Sequence, residues 1–253
     1  MTNIYLVSDL HYEVWGLDGP VKVAPGADIV VIAGDLRGMP QALETCGMTA
    51  ESTGLPVIFT PGNHEYYQRD YEQMNELALG YKHKNVSVLI NKTAVINGIR
   101  FLGTPLWSNF AGLGDPEKYM KIAEQYVFDF LVIRYKGKPL TAATMLDWHQ
   151  EARRFLESEL EKPYAGKTVI VTHFPPSYQL CHKIHRGNEL SPYFNSVCDE
   201  LIMKYKPAAW FFGHTHAAVE TNLYGTDFYC NQGGYPGETT DITGFNPNKL
   251  IKL

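Results

Sequence analysis

The chain contains 253 residues, of which 45% are hydrophobic and 19% are charged, and its formal net charge is −5. This composition excludes an extended disordered chain, and the negative charge disfavours sequence-independent binding to nucleic acid, which requires a basic surface. The first apolar run ends at Ser8, and no apolar run approaches the roughly 20 residues that span a bilayer. The four cysteines form no C-x-x-C pair. We therefore expect a cytoplasmic protein without a signal peptide or a membrane partner.

Strands and helices alternate in the first 81 residues, as in βαβ units with parallel strands. The predicted order is strand 4–7, strand 29–33, helix 41–52, strand 56–59 and helix 67–81. Short β runs follow at residues 86–90, 94–96 and 100–102. The dipeptide Asn97-Gly98 predicts a two-residue hairpin turn between the last two of these runs.

Residues 104–140 are the least regular segment and are rich in aromatic side chains and glycine. Two interpretations are open: the segment packs as an excursion over the core, or it forms a lid over a functional site. Sequence alone does not separate them.

The remaining residues repeat the alternation of strands and helices. Thr141 is a suitable N-cap for a helix that Pro163 and Gly166 terminate. The predicted order is helix 141–161, strand 168–171, helix 192–205, strand 208–212 and β runs near 218–221, 227–231 and 249–253. With no linker-like tract, residues 1–253 are expected to form one domain. Its fold class would be α/β, with two sheets packed face to face and helices outside.

Acidic, amide and imidazole side chains follow five of the apolar runs directly. They lie in Asp9-Leu10-His11, Gly34-Asp35, Gly62-Asn63-His64-Glu65, Thr172-His173 and Gly213-His214-Thr215-His216. Strands of one sheet deliver the loops at their carboxyl ends to a common edge, where ligands bind in open α/β folds. Five of the nine histidines fall in these loops. Together these residues indicate a metal centre.

Each motif alone has a plainer interpretation. Asp-x-His triplets are common, Asp35 is also a turn residue, and Asn63 could cap the following helix. His173 could be a buried histidine bonded to backbone, and His64 could be a solvent-facing residue at a helix start. The metal interpretation depends on the five motifs occurring together.

In that order, the five motifs resemble those of the calcineurin-like metallophosphoesterases, and they span residues 9–216. The stretches 103–107, 129–141 and 234–238 are similar to mostly uncharacterised bacterial and phage members. The resemblance implies a four-layer sandwich of two mixed β-sheets flanked by helices.

The resemblance also implies roles for individual residues. One metal ion would be held by Asp9, His11, Asp35 and His216, and a second by Asp35, Asn63, His173 and His214, with Asp35 bridging. His64 would be catalytic, protonating the leaving oxygen or stabilising charge there. Imidazole and oxygen ligands suit two divalent ions such as Mn, Fe, Zn, Co or Ni.

Two such ions about 3.5–4 Å apart can activate water and clamp phosphoryl oxygens. The implied function is hydrolysis of small-molecule phosphate esters, with phosphodiesters favoured, by a hydroxide that bridges the metals. A phosphomonoesterase and a nuclease are the alternative enzymes, and nucleic acid is a less favoured substrate because of the acidic composition. A scaffold protein with an inactive metal site is the non-enzyme alternative, which the intact ligand set disfavours.

Some residues depart from related sequences. Protein phosphatases of the superfamily follow Gly-Asp with Asp-Arg-Gly, whereas this chain has Leu36-Arg37-Gly38, so protein phosphatase activity is disfavoured. Near the end, Asn231-Gln232-Gly233 lacks an arginine that many relatives carry. Cys181, His182, His185 and Arg186 form another group; a surface loop or a loop reaching the substrate fits it better than a zinc site, which would lack a fourth ligand.

Overall fold

The computed structural model describes residues 1–238 and 240–253. The strands are β1 (Asn3–Val7), β2 (Ile29–Ala33), β3 (Val57–Thr60), β4 (Val86–Val88), β5 (Lys92–Ile96), β6 (Ile99–Gly103), β7 (Arg134–Tyr135), β8 (Lys138–Pro139), β9 (Thr168–Val171), β10 (Ala209–Phe211), β11 (Thr221–Leu223), β12 (Thr226–Tyr229) and β13 (Ile251–Lys252). The helices are α1 (Tyr12–Trp15), α2 (Gln41–Thr53), α3 (Tyr71–Gly80), α4 (Pro116–Tyr126), α5 (Asp129–Val132), α6 (Ala142–Leu160), α7 (Ser191–Phe194), α8 (Asp199–Tyr205) and α9 (Thr240–Thr243). Short 3-10 turns lie at His64–Tyr66 and Tyr178–Leu180.

The first sheet has the strand order β13-β1-β2-β3-β4. Strands β1 to β4 run parallel to one another, and β13 pairs antiparallel with β1. Strands β1, β2 and β3 are almost continuously apolar because both faces of the sheet are buried. Val7 pairs with Ile32, and Ala33 pairs with Thr60, so the loops after these three strands leave at one edge.

The second sheet has the strand order β11-β12-β10-β9-β6-β5. Its four central strands are parallel, and β11 and β5 are antiparallel partners at the two edges. The predicted hairpin turn is confirmed: Ile96 pairs with Ile99, and Asn97 and Gly98 have φ values of 51° and 74°. This left-handed backbone explains the Asn-Gly pair.

Alternate strand residues bring the two sheets face to face. Leu6 and Val31 of the first sheet share one buried cluster with Phe101, Val169 and Phe211 of the second. The residues between them point the other way and join a larger core with the helices. The predicted α/β sandwich of two mixed sheets flanked by helices is confirmed.

The helix predicted over residues 192–205 is wrong in extent, since the chain forms two helices, α7 and α8. Backbone N–H groups in the break are taken by other segments: Ser196 N donates to Pro175 O at 2.9 Å, and Cys198 N donates to Pro176 O at 2.8 Å. Val197 N donates to Asn109 Oδ1 at 3.1 Å. Tertiary hydrogen bonds therefore replace the continuous helix that the apolar spacing predicts.

Other boundaries differ by a few residues. The helix predicted from residue 67 begins at Tyr71, because Asp70 caps it by accepting a hydrogen bond from Glu72 N. The β run expected near 218–221 is β11, at Thr221–Leu223. Within residues 104–140, Asp115 caps α4 and Pro116 occupies its first turn, a start signal that the aromatic composition hid. Among the described residues, no helix is long and apolar enough to cross a membrane.

Candidate metal centre and active site

The strand-end loops turn sharply at the residues that carry the predicted chemistry. Five of these residues have left-handed backbone, namely Asp9, His11, Asp35, His214 and His216, with φ between 42° and 77°. For a residue with a Cβ this conformation costs roughly 1–2 kcal/mol. Non-glycine residues held in such conformations cluster at functional sites. The five turns therefore mark the edge where β1, β2 and β10 end as the functional edge.

Two glycines let these loops approach closely. A Cβ on Gly62 would lie 2.2 Å from Asp35 Oδ1 and 2.7 Å from His173 Nε2. A Cβ on Gly213 would lie 2.5 Å from Asp9 Oδ2. Any side chain at either position would displace a polar residue of the site, which explains both glycines.

Asp9, His11 and His216 form a first buried cluster whose ligand atoms lie within 4.8 Å of one another. His11 Nε2 and His216 Nε2 are 2.9 Å apart, and His216 Nε2 is 3.4 Å from Asp9 Oδ1. His214 N donates to both carboxylate oxygens of Asp9, which fixes the carboxylate. The two strand-end loops after β1 and β10 thus meet at this cluster.

Asp35, His173 and His214 form a second cluster, and Asn63 adjoins it. His173 Nε2 lies 3.2 Å from Asp35 Oδ2, 3.1 Å from Asn63 Oδ1 and 3.2 Å from His214 Nδ1. On the opposite side of its ring, His173 Nδ1 donates to Ala33 O at 2.8 Å. That bond leaves the Nε2 lone pair directed into the cluster.

Asp35 lies between the two clusters. Its Oδ2 is 3.2 Å from His173 Nε2 and 3.9 Å from His11 Nε2, while its Oδ1 accepts a hydrogen bond from His64 N at 2.9 Å. The backbone around Asp35 is held by Glu65, whose carboxylate accepts hydrogen bonds from Asp35 N and Gly62 N. The structure therefore brings together all seven side chains predicted as metal ligands, with Asp35 at the centre.

The clusters require positive charge. Burial works against charge on His173, but Asp35 outweighs it and raises the pKa of His173 to about 9. Burial likewise opposes charge on His216, yet hydrogen bonds to Asp9 and Glu238 raise its pKa to about 10. Burial raises the pKa of Asp35, but His173 and His64 hold it well below its usual value. Protons or metal ions can supply this charge, and converging imidazole nitrogens and carboxylates fit divalent metal ions.

Outer carboxylates orient the imidazole rings. Glu13 Oε1 lies 3.3 Å from His11 Nδ1 and 3.0 Å from His64 Nδ1. Glu238 Oε2 lies 2.8 Å from His216 Nδ1. A carboxylate on the far nitrogen fixes the ring and raises its basicity as a ligand. The sequence interpretation missed both roles; Glu238 lies in the stretch 234–238 shared with relatives, whereas Glu13 carried no signal.

Asp129 is a further residue that the sequence interpretation missed. It is buried, and its Oδ1 accepts hydrogen bonds from Asn63 Nδ2 at 3.0 Å and from Tyr67 OH at 2.7 Å. Tyr193 OH donates to its other oxygen. Because Asp129 holds the amide nitrogen of Asn63, it turns Asn63 Oδ1 toward His173. The stretch 129–141 shared with relatives was the available signal.

His64 adjoins the clusters between two partners. Its Nδ1 faces Glu13 at 3.0 Å, its Nε2 faces Tyr235 OH at 2.8 Å, and its ring stacks on Tyr67 with centroids 4.1 Å apart. His64 Nε2 is also 4.0 Å from Asp35 Oδ2, close enough for His11, Asp35 and His64 to be a third group able to hold a metal. Its Nε2 is thus engaged by Tyr235 OH as well as lying near Asp35.

A cavity of about 680 Å³ opens from the two clusters; we call it cavity A. Its floor includes Asp35, Asn63 and His214. Its walls come from residues 126–129 and from residues 181–195, which we call the loop after His173. His182 and His185 line it, whereas Arg186 donates to the carbonyls of Gln179 and Cys181. The loop therefore reaches the site with its histidines.

The comparisons with known proteins agree with this geometry. The chain matches the calcineurin-like phosphoesterase family over residues 2–218. An uncharacterised protein of Acanthamoeba polyphaga mimivirus is 26% identical over 215 residues, which cover 78% of this chain and 73% of the viral protein. The crystal structure of phosphopantetheinyl hydrolase from Mycobacterium tuberculosis has the same fold, with a TM-score of 0.73 at 19% identity, covering 93% of this chain and 90% of that one. Since the family match extends over most of its length, the protein belongs to the calcineurin-like phosphoesterases.

Proposed function

We propose that this protein is a phosphodiesterase that uses two divalent metal ions. The observation that carries the proposal is the pair of adjoining buried clusters that share Asp35. Asp9, His11, Asp35 and His216 would hold one ion, and Asp35, Asn63, His173 and His214 the other. When bound, the ions supply a nucleophile from water and balance the charge of the phosphoryl group.

The side chains around the clusters divide the remaining work. Asp129 keeps the oxygen of Asn63 directed at the second site, and Glu238 keeps the ring of His216 directed at the first. His64 lines cavity A, where its Nε2 can deliver a proton to a departing ester oxygen. The hydrogen bond of His64 Nδ1 to Glu13 orients the ring for that transfer.

The donor set also bears on metal identity. Imidazole, carboxylate and amide ligands without a thiolate suit Mn, Fe, Zn, Co or Ni rather than Cu(I). We keep manganese as the first metal to test because it accepts mixed oxygen and nitrogen ligands.

A phosphodiester is preferred to a monoester because of the charges that line the site. Among the described residues lining cavity A there is no lysine or arginine, so no guanidinium clamps the second negative charge of a monoester. Arg37, which follows Asp35, pairs with Asp18 at 2.9 Å. The net charge of −5 and the absence of lysine and arginine among the described lining residues also disfavour a nuclease. A pure scaffold would not need strained backbone at five of the seven proposed ligands.

A phosphopantetheinyl ester is a second candidate substrate. The solved structure whose alignment covers 93% of this chain is a phosphopantetheinyl hydrolase. Cavity A is lined largely by apolar and amide side chains, which suit a neutral substituent such as the phosphopantetheinyl arm. The likeness itself shows a shared fold, so the ester requires its own assay.

We further propose that residues 1–253 act as one domain, because loops from both sheets complete each cluster. A cytoplasmic location is a proposal supported by four free, buried cysteines.

The experiment is a substrate screen of the purified protein with Mn(II), using nitrophenyl mono- and diesters, cyclic nucleotides, short oligonucleotides and a phosphopantetheinylated carrier protein. Metal content is measured in parallel. We expect about two metal equivalents and a kcat/KM for diesters above that for monoesters. Metal-loaded protein without activity on any ester would contradict the enzyme assignment, and faster turnover of monoesters or oligonucleotides would select an alternative.

A further inference from the structure

Two separate clefts meet at the residues beside the clusters. Cavity A lies on one side, and on the other lies a more open cleft of about 570 Å³, lined among others by Glu13, Arg37 and Gln41, which we call cleft B. Four side chains line both clefts, namely His64, Tyr67, Phe128 and Tyr235. Cavity A contains Asp35, Asn63, His214 and His216, whereas cleft B begins beyond the shared side chains, so a phosphoryl group at the clusters has cavity A for one organic substituent and cleft B for a second one that extends past His64. A monoester, with a single substituent, would leave one of the two spaces to water.

The walls of cavity A away from the clusters are apolar or uncharged. Tyr126, Phe128 and Ile184 line it while they remain 66%, 56% and 51% exposed. Large apolar side chains exposed together at the rim of a cavity mark a site for an apolar ligand. Phe194 extends this lining down to His214, whose ring it faces with centroids 5.2 Å apart.

Two carboxylates that line cavity A are already engaged by other groups of the protein. Asp129 accepts hydrogen bonds from Asn63 and two tyrosines, and Glu238 is paired with His216. Burial, and then the neighbouring His182, lower the pKa of His185 and so disfavour a positive charge on its ring. An anionic organic group would leave water here and meet Asp129 and Glu238 without a lysine or arginine among the described lining residues, which is unfavourable.

Cleft B has the opposite chemistry. Glu13, Arg37, Gln41 and Gln68 contribute polar side chains to its wall. Arg37 gives one N–H to Asp18, whose side chain is 87% exposed, and such surface pairs are weak. The guanidinium therefore keeps further donors for a ligand in cleft B.

We propose that the substrate is an asymmetric phosphodiester, with a neutral apolar or aromatic group in cavity A and a polar group in cleft B. This inference depends on the proposed phosphodiesterase function and adds which chemistry each side of the phosphate carries. Selectivity in cavity A then comes from residues 104–140, which we call the excursion, and from the loop after His173, whereas selectivity in cleft B comes from polar residues such as Arg37 and Gln41.

The test uses two synthetic diesters with Mn(II)-loaded protein. Both carry a 2-methoxyethyl group, which is polar but has no hydroxyl that could attack the phosphorus; one carries 4-nitrophenyl, and the other carries 3-carboxy-4-nitrophenyl. We expect kcat/KM for the carboxylated ester to be lower than that for the neutral ester by a factor of about ten or more, because its charge would enter cavity A unpaired. Equal kcat/KM values for the two esters would overturn the inference while leaving the phosphodiesterase assignment intact. No Mn(II)-dependent hydrolysis of either ester would overturn both.

A pair of matched variants tests whether the nitrophenyl group of these esters lies in cavity A or in cleft B. Ile184→Lys places a cation on the wall of cavity A, and Val14→Lys places one on cleft B at a similarly exposed position. Relative to wild type, Ile184→Lys should raise the ratio of carboxylated to neutral kcat/KM about fivefold, as expected for a partly exposed ion pair. Val14→Lys should leave that ratio unchanged. The intrinsic reactivity of the two esters cancels because each variant's ratio is divided by the wild-type ratio. A larger change of this ratio in Val14→Lys than in Ile184→Lys would overturn the assignment of the two clefts.

Discussion

The metal-binding clusters and cavity A adjoin each other, but they are built from different kinds of segment. The clusters come from short loops at strand ends, where Asp9, His11 and His173 are completely buried. Cavity A is walled by α4, α5 and the loop after His173, with apolar side chains left half exposed. Ligand atoms must be held to within about 0.5 Å, which short loops anchored at the ends of buried strands can do. Apolar recognition tolerates looser segments, so chemistry and selectivity can change separately.

Asp129 is the point at which this separation breaks down. Asp129 lies within residues 104–140, yet it accepts a hydrogen bond from the side-chain amide of Asn63, which follows β3. The excursion therefore does more than cover the site, since it sets the orientation of one proposed ligand. The following predictions test how far the two regions are independent, from the largest expected effect to the smallest.

Asp35→Asn should have the largest effect, because Asp35 faces both clusters. We expect loss of both metal ions and a fall in activity beyond the roughly 10–100-fold that removal of an outer partner costs. Asp9→Asn is the matched control and should weaken mainly one site. The measurement is metal content per protein after dialysis. Two full equivalents in Asp35→Asn would remove its bridging role.

His64→Ala should separate catalysis from metal binding. If His64 protonates the leaving oxygen, its loss should lower kcat/KM by about 10²–10⁴-fold on alkyl esters and much less on nitrophenyl esters, whose leaving group needs no proton. Both metals should be retained. The measurement is kcat/KM across leaving groups of graded pKa. A constant loss across the series would assign His64 to charge stabilisation, and loss of a metal would make it a ligand.

Asp129→Ala should reduce metal binding although Asp129 lies outside the strand-end loops. The amide of Asn63 would lose its carboxylate partner and keep only Tyr67 OH at 3.2 Å, and an outer partner of this kind contributes roughly 10–100-fold to metal affinity. Tyr193→Phe, which removes a donor to the other oxygen of Asp129 and leaves the bond between Asp129 and Asn63 in place, is the control. Metal titration monitored by calorimetry measures both. Unchanged metal affinity in Asp129→Ala would show that the excursion and the clusters are independent.

Phe128→Ala should have the smallest effect and should act on selectivity alone. Phe128 is 56% exposed and lines both clefts, so its removal should shift the ratio of kcat/KM values between diesters with little change in stability. Trp107→Ala, within the same excursion but 1% exposed, should instead lower the free energy of unfolding by about 3–5 kcal/mol. Denaturant unfolding and diester kinetics distinguish them. If both variants lowered the free energy of unfolding and reduced kcat/KM for all diesters to the same degree, residues 104–140 would be a packed excursion and not a lid.

Sequence patterns predicted most of the framework because they arise from local rules. Continuous apolar runs predicted the buried parallel strands, and Asn97-Gly98 predicted its hairpin. The strand-end motifs identified all seven side chains that meet at the clusters. Such features are encoded within a few residues of one another, so no tertiary information is needed to recognise them.

The sequence by itself determined the family, the two-sheet sandwich and the edge that carries the polar residues. Tertiary structure alone decided the partners of those residues. Three features depend on groups distant in the chain: the contact of Glu13 with His64, the hydrogen bond of Asp129 to Asn63, and the break between α7 and α8. A hydrogen bond between remote segments leaves no periodic pattern in either of them. For the same reason, the two clefts are visible only in the tertiary structure, where residues 126–129 and the loop after His173 line cavity A together and Phe128 lines cleft B with Glu13 and Arg37.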